Sequence, residues 1–339
     1  MKAFALTRYG KKNTVKPVER PVPDLRDDDV LVQIHATSIN PLDLKIRNGE
    51  LKPLLPYKLP LVLGNDLAGI VVKTGPRVRR FALGDAVYAK PNQDRIGTFA
   101  EYLAVNENDV ARIPKTVTMN EAAALPLVGL TAWQALVDKA QLRPGQKVLI
   151  HAGSGGLGSI AIQLAKHLGA TVATTTSTKN VTWVKALGAD VVIDYKTQDF
   201  ATELRDYDVV LDTQGGQTLD RSFQVVKPGG TVISVAGPPE PAFAREFGAS
   251  WLLVHAMRAL SFSVRRKAKR RSVHYSFLFM TANGDQLREL GALVDGGAIR
   301  PVIDRVFPFD ATLDAMAYVE NGRATGKVVV TVRGEHDRP

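Results

Sequence analysis

Between residues 146 and 236 short apolar runs alternate with segments whose apolar residues recur at helical spacing. QKVLIHA (146–152), ATVATTT (170–176), DVVIDY (190–195), YDVVLDT (207–213) and GTVISVA (230–236) read as strands. SIAIQLAKHLG and TWVKALG, lying between the first three, read as helices. Strands alternating with helices imply parallel βαβ units and a doubly wound α/β sheet. Continuous apolar strands fit a sheet covered on both faces.

The first 120 or so residues follow a different pattern, with short β-branched runs broken by Gly, Pro and Asp. DVLVQIHATSI (29–39), LAGIVVKTG (67–75), GDAVYAK (84–90) and FAEYLAV (99–105) predict a small, mostly β domain. After residue 282 a helix (DQLRELGALVDGG) leads into GKVVVTVRG, a strand of the same character as the first segment. We therefore expect a β domain over 1–122, a cofactor domain inserted over 123–282, and a return to the first domain over 283–339.

Composition narrows the class. The 339 residues are 45% hydrophobic and 23% charged, an ordinary globular balance. MKAFALTRYG lacks the apolar core of a signal peptide, and no run reaches the roughly 20 apolar residues of a membrane span. A cytoplasmic protein is expected. The chain has no cysteine, so disulfides and Cys-built zinc sites are excluded, and the six histidines show no ligand spacing. No metal is expected. The net charge of +10 draws attention to RRKAKRR (265–271) without identifying a partner.

HAGSGGLGS supplies the candidate chemistry. Ala152, Gly155 and Gly158 give AxxGxxG, and Gly153, Gly155 and Gly158 give GxGxxG, after a strand and opening a helix. Such glycines allow a tight turn, close approach of a pyrophosphate to the backbone, and helix-to-strand packing. A packed glycine turn without a ligand is the plainer alternative. NAD sites carry an acid at the end of the second strand, yet Ser159 to Ala189 contains no Asp or Glu. Ser177, Thr178 and Lys179 can instead receive a 2′-phosphate, so NADPH is favoured over NADH. STKN can equally cap a helix, and Tyr195 can pack on the adenosine.

These segments, with HATSINPLDLKIRNG, PLVLGNDLAGIVVKTG, GTFAEYLAV, LVGLTAWQAL, LGADVVIDY and GRATGKVVV, resemble the zinc-free medium-chain dehydrogenase/reductases. The quinone reductase and alkenal/enone oxidoreductase branch is nearest, and the resemblance weakens over about 238–282. It implies a Rossmann doubly wound parallel sheet inserted in a GroES-like, mostly β domain. It also implies cofactor contacts at Lys45, Thr131, Gly156, Leu157, Ser177, Thr178, Lys179, Asn180, Tyr195, Val235, Ala236, Gly237, Gly326 and Lys327. Zinc-dependent relatives place His-Glu where this chain has Asn65-Asp66, and they need an earlier Cys. Both are missing here, which removes the Lewis acid of alcohol dehydrogenation.

The resemblance implies hydride transfer from NADPH to the activated C=C of enones or alkenals, or to quinones. Asn40 and Lys45 are expected near the reacting carbonyl, and Tyr57 is a candidate proton donor with solvent as the alternative. Asn40-Pro41 and Asp43 have a structural reading as well. WLLVHAMRALSFSVRRKAKRRS (251–272) predicts an apolar helix with a cationic end, and HYSFLFM (274–280) an edge strand open to a second copy. A solvated helix end is the plain reading of the cations. A protein without turnover, binding RNA or anionic surfaces through 265–271, is the rival function. Residues 264–271 carry no aromatic to stack bases, so nucleic acid is not expected.

Overall fold

The computed structural model describes residues 1–334, which fold as two compact units: 1–130 with 281–334, and 131–280. In the first unit, β1 (Lys2–Leu6), β2 (Val15–Glu19) and β4 (Leu61–Val62) form a small sheet, with β3 (Asp29–Ile39) between them in the chain. β3 buries every side chain except half-buried Gln33. Along its length it pairs with β5 (Leu67–Thr74), and its first half also pairs with β7 (Tyr102–Asn106). β6 (Ala86–Ala89) and β8 (Val110–Arg112) extend the sheet beyond β5. Gly69 permits the close approach of β5 to β3, because a Cβ there would lie 2.0 Å from the Gln33 carbonyl oxygen.

The second unit carries β9 (Lys147–Ile150), β10 (Thr171–Thr176), β11 (Val191–Asp194), β12 (Tyr207–Asp212), β13 (Val226–Ser234) and β14 (His274–Phe277). All pair in parallel, in the order β11-β10-β9-β12-β13-β14. This is the expected doubly wound sheet, with the reversal of strand order between β9 and β12. The central strands β9, β10 and β12 are buried over nearly their whole length, while the edge strands β11 and β14 are more exposed. The segment expected as one helix over 251–272 is two, Trp251–Leu260 and Phe262–Arg270. Buried Ser261 divides them, and its hydroxyl donates to the Met257 carbonyl at 2.6 Å, a back-bond that bends helices.

The chain returns to the first unit through the helix Gly284–Asp295, β15 (Ile303–Pro308) and β16 (Lys327–Thr331). β16 pairs antiparallel with the second half of β3, Val328 opposite Ile39. That register brings Lys327 to the end of β3, where Asn40 opens the helix Pro41–Asn48.

Candidate functional site

The parallel strands of the second unit end on one edge of their sheet, and in such folds ligands bind outside that edge at the reversal of strand order. There His151–Gly155 leaves β9 and opens the helix Gly156–His167. Glycine is required twice: a Cβ on Gly153 would lie 2.2 Å from Thr174 Oγ1, and one on Gly158 would lie 2.3 Å from the Ala152 carbonyl oxygen. Ala152 takes φ = 54°, a left-handed conformation that costs a residue with a Cβ about 1–2 kcal/mol. β10 holds it there. Thr175 Oγ1 accepts from the Ala152 N–H at 3.1 Å, and the Thr175 carbonyl accepts from the Gly153 N–H at 2.9 Å.

The helix begins on Gly155, which has no side chain to cap it, and its first turn holds no acid. The N–H groups of Gly156, Leu157 and Gly158 therefore lack intrahelical acceptors and sit at the positive end of the helix dipole. That is the donor set a pyrophosphate requires, so the residues fit the dinucleotide expected from the sequence. At the turn's entrance buried His151 contacts Thr175 Oγ1 at 3.2 Å and Ser222 Oγ at 2.9 Å. Burial pushes its pKa down to about 3, so it is a neutral brace.

At the end of β10, Thr178 and Lys179 are exposed and Ser177 is buried. The hydroxyl of buried Thr176 has no hydrogen-bond partner among the described residues, a signal absent from sequence pattern. Thr178 also hydrogen-bonds Asp194 and holds that carboxyl below its usual range. Tyr195, 60% exposed, extends from β11 beside them, its N–H bonded to the Thr176 carbonyl. Val235, Ala236 and Gly237 follow β13 on the same edge, the last two donating their N–H groups to Ser234 Oγ. Asn180 departs from the expectation. Its amide donates to Ser177 Oγ at 3.3 Å and accepts from Trp183 Nε1 at 3.2 Å, so it shapes the loop. Thr131 is buried at the first position of this unit.

In the first unit the sequence expectations need more correction. Asn40 is buried, with both ends of its amide engaged: Nδ2 donates to Asp66 Oδ2 at 2.7 Å, and Oδ1 accepts from Lys327 Nζ. It positions its neighbours and presents no free group to a carbonyl. Lys327, expected on the cofactor, is also buried and ion-paired with Asp66 at 3.1 Å. Asp66 accepts as well from Ser38 Oγ at 2.6 Å and from the Leu127 N–H at 2.7 Å. Gly326 serves the backbone, since φ = 88° and a Cβ 2.4 Å from the Val302 carbonyl oxygen admit no side chain. Tyr57 donates its hydroxyl to the Gln93 carbonyl at 2.6 Å, and burial with the Asp43 charge raises its pKa. It anchors a loop.

Lys45, on the helix opened by Pro41, is half-buried, with no ion-pair partner among the described residues. On the same helix Asp43 is fully buried, accepting from the Asn40 N–H and from Asn65 Nδ2, each at 2.7 Å. Burial, opposed by these bonds and aided by the Asp66 charge, pushes Asp43 up to about 7. Sequence reading assigned Asp66 and Asn65 no role beyond the missing zinc ligands. Their spacing before β5 carries no polar-network signature, because the partners come from residues 38–43, from 127 and from 327.

Among the described residues, no three His, Asp or Glu side chains are grouped so as to hold a metal ion. Residues 26–115 match the alcohol dehydrogenase GroES-like domain, and residues 187–330 match the family described as zinc-binding dehydrogenase. The 2-methylene-furan-3-one reductase of Solanum lycopersicum is 38% identical over 97% of this chain and 79% of its own length. The chloroplastic NADPH-dependent alkenal/one oxidoreductase of Arabidopsis thaliana is 36% identical, with the same coverage of both chains. The quinone oxidoreductase of Coxiella burnetii superposes with a TM-score of 0.86 at 33% identity, over 98% of this chain and 99% of that one. The chain belongs to the medium-chain dehydrogenase/reductase superfamily, in the branch of the quinone and alkenal/enone oxidoreductases.

Proposed function

We propose that the protein is an NADPH-dependent, zinc-independent reductase of enones, alkenals or quinones. The uncapped helix turn at Gly156–Gly158, backed by a strand end without an acid, is the observation that carries this reading. The names of the tomato and Arabidopsis relatives support the same chemistry. NADPH, when bound, supplies the hydride. The N–H groups of Gly156, Leu157 and Gly158 receive its pyrophosphate, while Ser177, Thr178 and Lys179 receive the 2′-phosphate. Tyr195 covers the adenosine, and Val235–Gly237 line the remainder of the same sheet edge. Lys45, an ammonium without a carboxylate partner, stabilises negative charge developing on the acceptor oxygen.

Tyr57 is engaged by the Gln93 carbonyl, so in this reading solvent supplies the α-carbon proton. A second copy pairing along the β14 edge is part of the proposal, and sedimentation of the purified chain measures it. Oxidation of NADPH against an enone, an alkenal and a quinone, with NADH in parallel, tests the function. Turnover with at least one acceptor and preference for NADPH are expected. No turnover on any of the three overturns the reductase reading.

A further inference from the structure

The consecutive helices Trp251–Leu260 and Phe262–Arg270 carry a surface to which the proposed nucleotide and acceptor sites assign no residue. Met257, Val264 and Ala268 are buried and fix the pair to its unit. Trp251, Leu252, Leu260 and Phe262 are nevertheless 70%, 62%, 67% and 58% exposed. Single exposed apolar side chains are ordinary, but here four large ones fall within residues 251–262, on two consecutive helices.

The charge beside them is one-sided. Residues 247–284 contain no Asp or Glu, while 265–271 holds six Lys and Arg. Lys267 is answered by Asp220 and Arg265 bonds the Arg258 carbonyl. Among the described residues, Arg266, Lys269, Arg270 and Arg271 have no carboxylate partner.

We propose that this helical face docks on the surface of a bilayer containing anionic phospholipid. Its apolar side chains enter the boundary between headgroups and acyl chains, and its cations meet the phosphates. The two halves of the patch select this occupant together. A second copy in a two-fold contact sets cations against cations, with no carboxylate in the segment to offset them. RNA offers phosphates but no dry phase for Leu252 and Leu260, and the run 265–271 interleaves no aromatic with its cations, Trp251 and Phe262 standing outside it.

Co-sedimentation with vesicles of phosphatidylcholine, alone or mixed with phosphatidylglycerol, tests the proposal on the full chain. It needs no cofactor or acceptor, so its failure is separate from failure of the reductase reading. Binding is expected only to the mixed vesicles. The triple variant Arg266→Ala, Lys269→Ala and Arg270→Ala is expected to bind them about a hundredfold more weakly, at roughly fivefold per cation. Trp251→Ser with Leu252→Ser should lose the binding that survives high salt. Unchanged unfolding midpoints and NADPH oxidation certify that both variants are folded. Equal binding to both vesicle types, binding to neither, or a triple variant that binds like the parent overturns the proposal. So does a parent dimer that the triple variant dissociates, or RNA binding without vesicle binding.

Discussion

Changing Lys179 to Glu tests where the 2′-phosphate lies. Lys179 is exposed just beyond β10, and no carboxylate pairs with it among the described residues. A phosphate monoester carries about −1.5 to −2 charges at neutral pH. At about 4 Å in water one pair of unit charges is worth about 1 kcal/mol, and the exposure of Lys179 makes the water value the right scale. Loss of attraction therefore costs about 1.5 kcal/mol, and repulsion from a Glu free to swing away adds less than that. The sum, about 2–2.7 kcal/mol, is roughly a 30- to 100-fold rise in KM for NADPH. NADH has no 2′-phosphate, so its KM should change by less than about threefold. Steady-state kinetics with both cofactors at two ionic strengths read the effect. The NADPH penalty should shrink with salt, because the Debye length falls from about 10 Å at 0.1 M to about 3 Å at 1 M. Equal changes for the two cofactors, or none for either, refute this placement of the phosphate.

Gly158→Ala drives a Cβ against the Ala152 carbonyl oxygen, so titration of bound NADPH should detect at least about tenfold weaker binding, with about 1–3 kcal/mol of stability lost. Tyr57→Phe should leave kcat within about threefold and cost about 1 kcal/mol in urea unfolding, because the hydroxyl holds the Gln93 carbonyl; a tenfold fall in kcat would restore the phenol as proton donor. Asp66→Asn or Lys327→Met alone strands a buried charge and should destabilise by about 3–5 kcal/mol, while the double variant recovers most of that in a denaturant cycle. His151 titrates near 3 when folded and near 6.5 when unfolded, so between these values only the unfolded chain binds the proton and stability falls as pH falls. Unfolding midpoints of the parent should therefore drop faster with acid than those of His151→Gln, and parallel slopes would count against a neutral, buried imidazole.

Much of this molecule was legible in its pattern because the pattern states burial directly. The strand over 147–150 and the helix over 156–167 stand where an apolar run and a 3.6-residue recurrence put them. The glycines of the turn are explained by local sterics, which sequence contains. The helix Pro41–Asn48 was missed although its signals were present: Asn40 before Pro41, Asp43 at the third position, and Gly49 at φ = 83° as a stop. Its short apolar content gave no recurrence to notice. The polar network was illegible for a different reason. Whether Asn40 faces substrate or Lys327 depends on the antiparallel register of β16 on β3, a pairing across nearly the whole chain.

That register also bears on whether Asn65-Asp66 can hold a metal. Zinc-dependent relatives carry His-Glu where this chain has Asn65-Asp66. Here Asn65 turns its amide to Asp43 at 2.7 Å, and Asp66 has Lys327, Asn40, Ser38 and the Leu127 N–H around its two oxygens. A cation recruited to Asp66 would displace an ammonium already held in a buried, hydrogen-bonded pair, and would strand that ammonium at a cost of several kcal/mol. The Lys327 ammonium is thus engaged by Asp66 and Asn40 where β16 meets β3. Its charge joins β16 to β3 and is not free to polarise an alcohol. The acceptors we propose, conjugated carbonyls and quinones, bring their own activation, and in that proposal half-buried Lys45, without an ion-pair partner among the described residues, answers the charge that hydride addition creates.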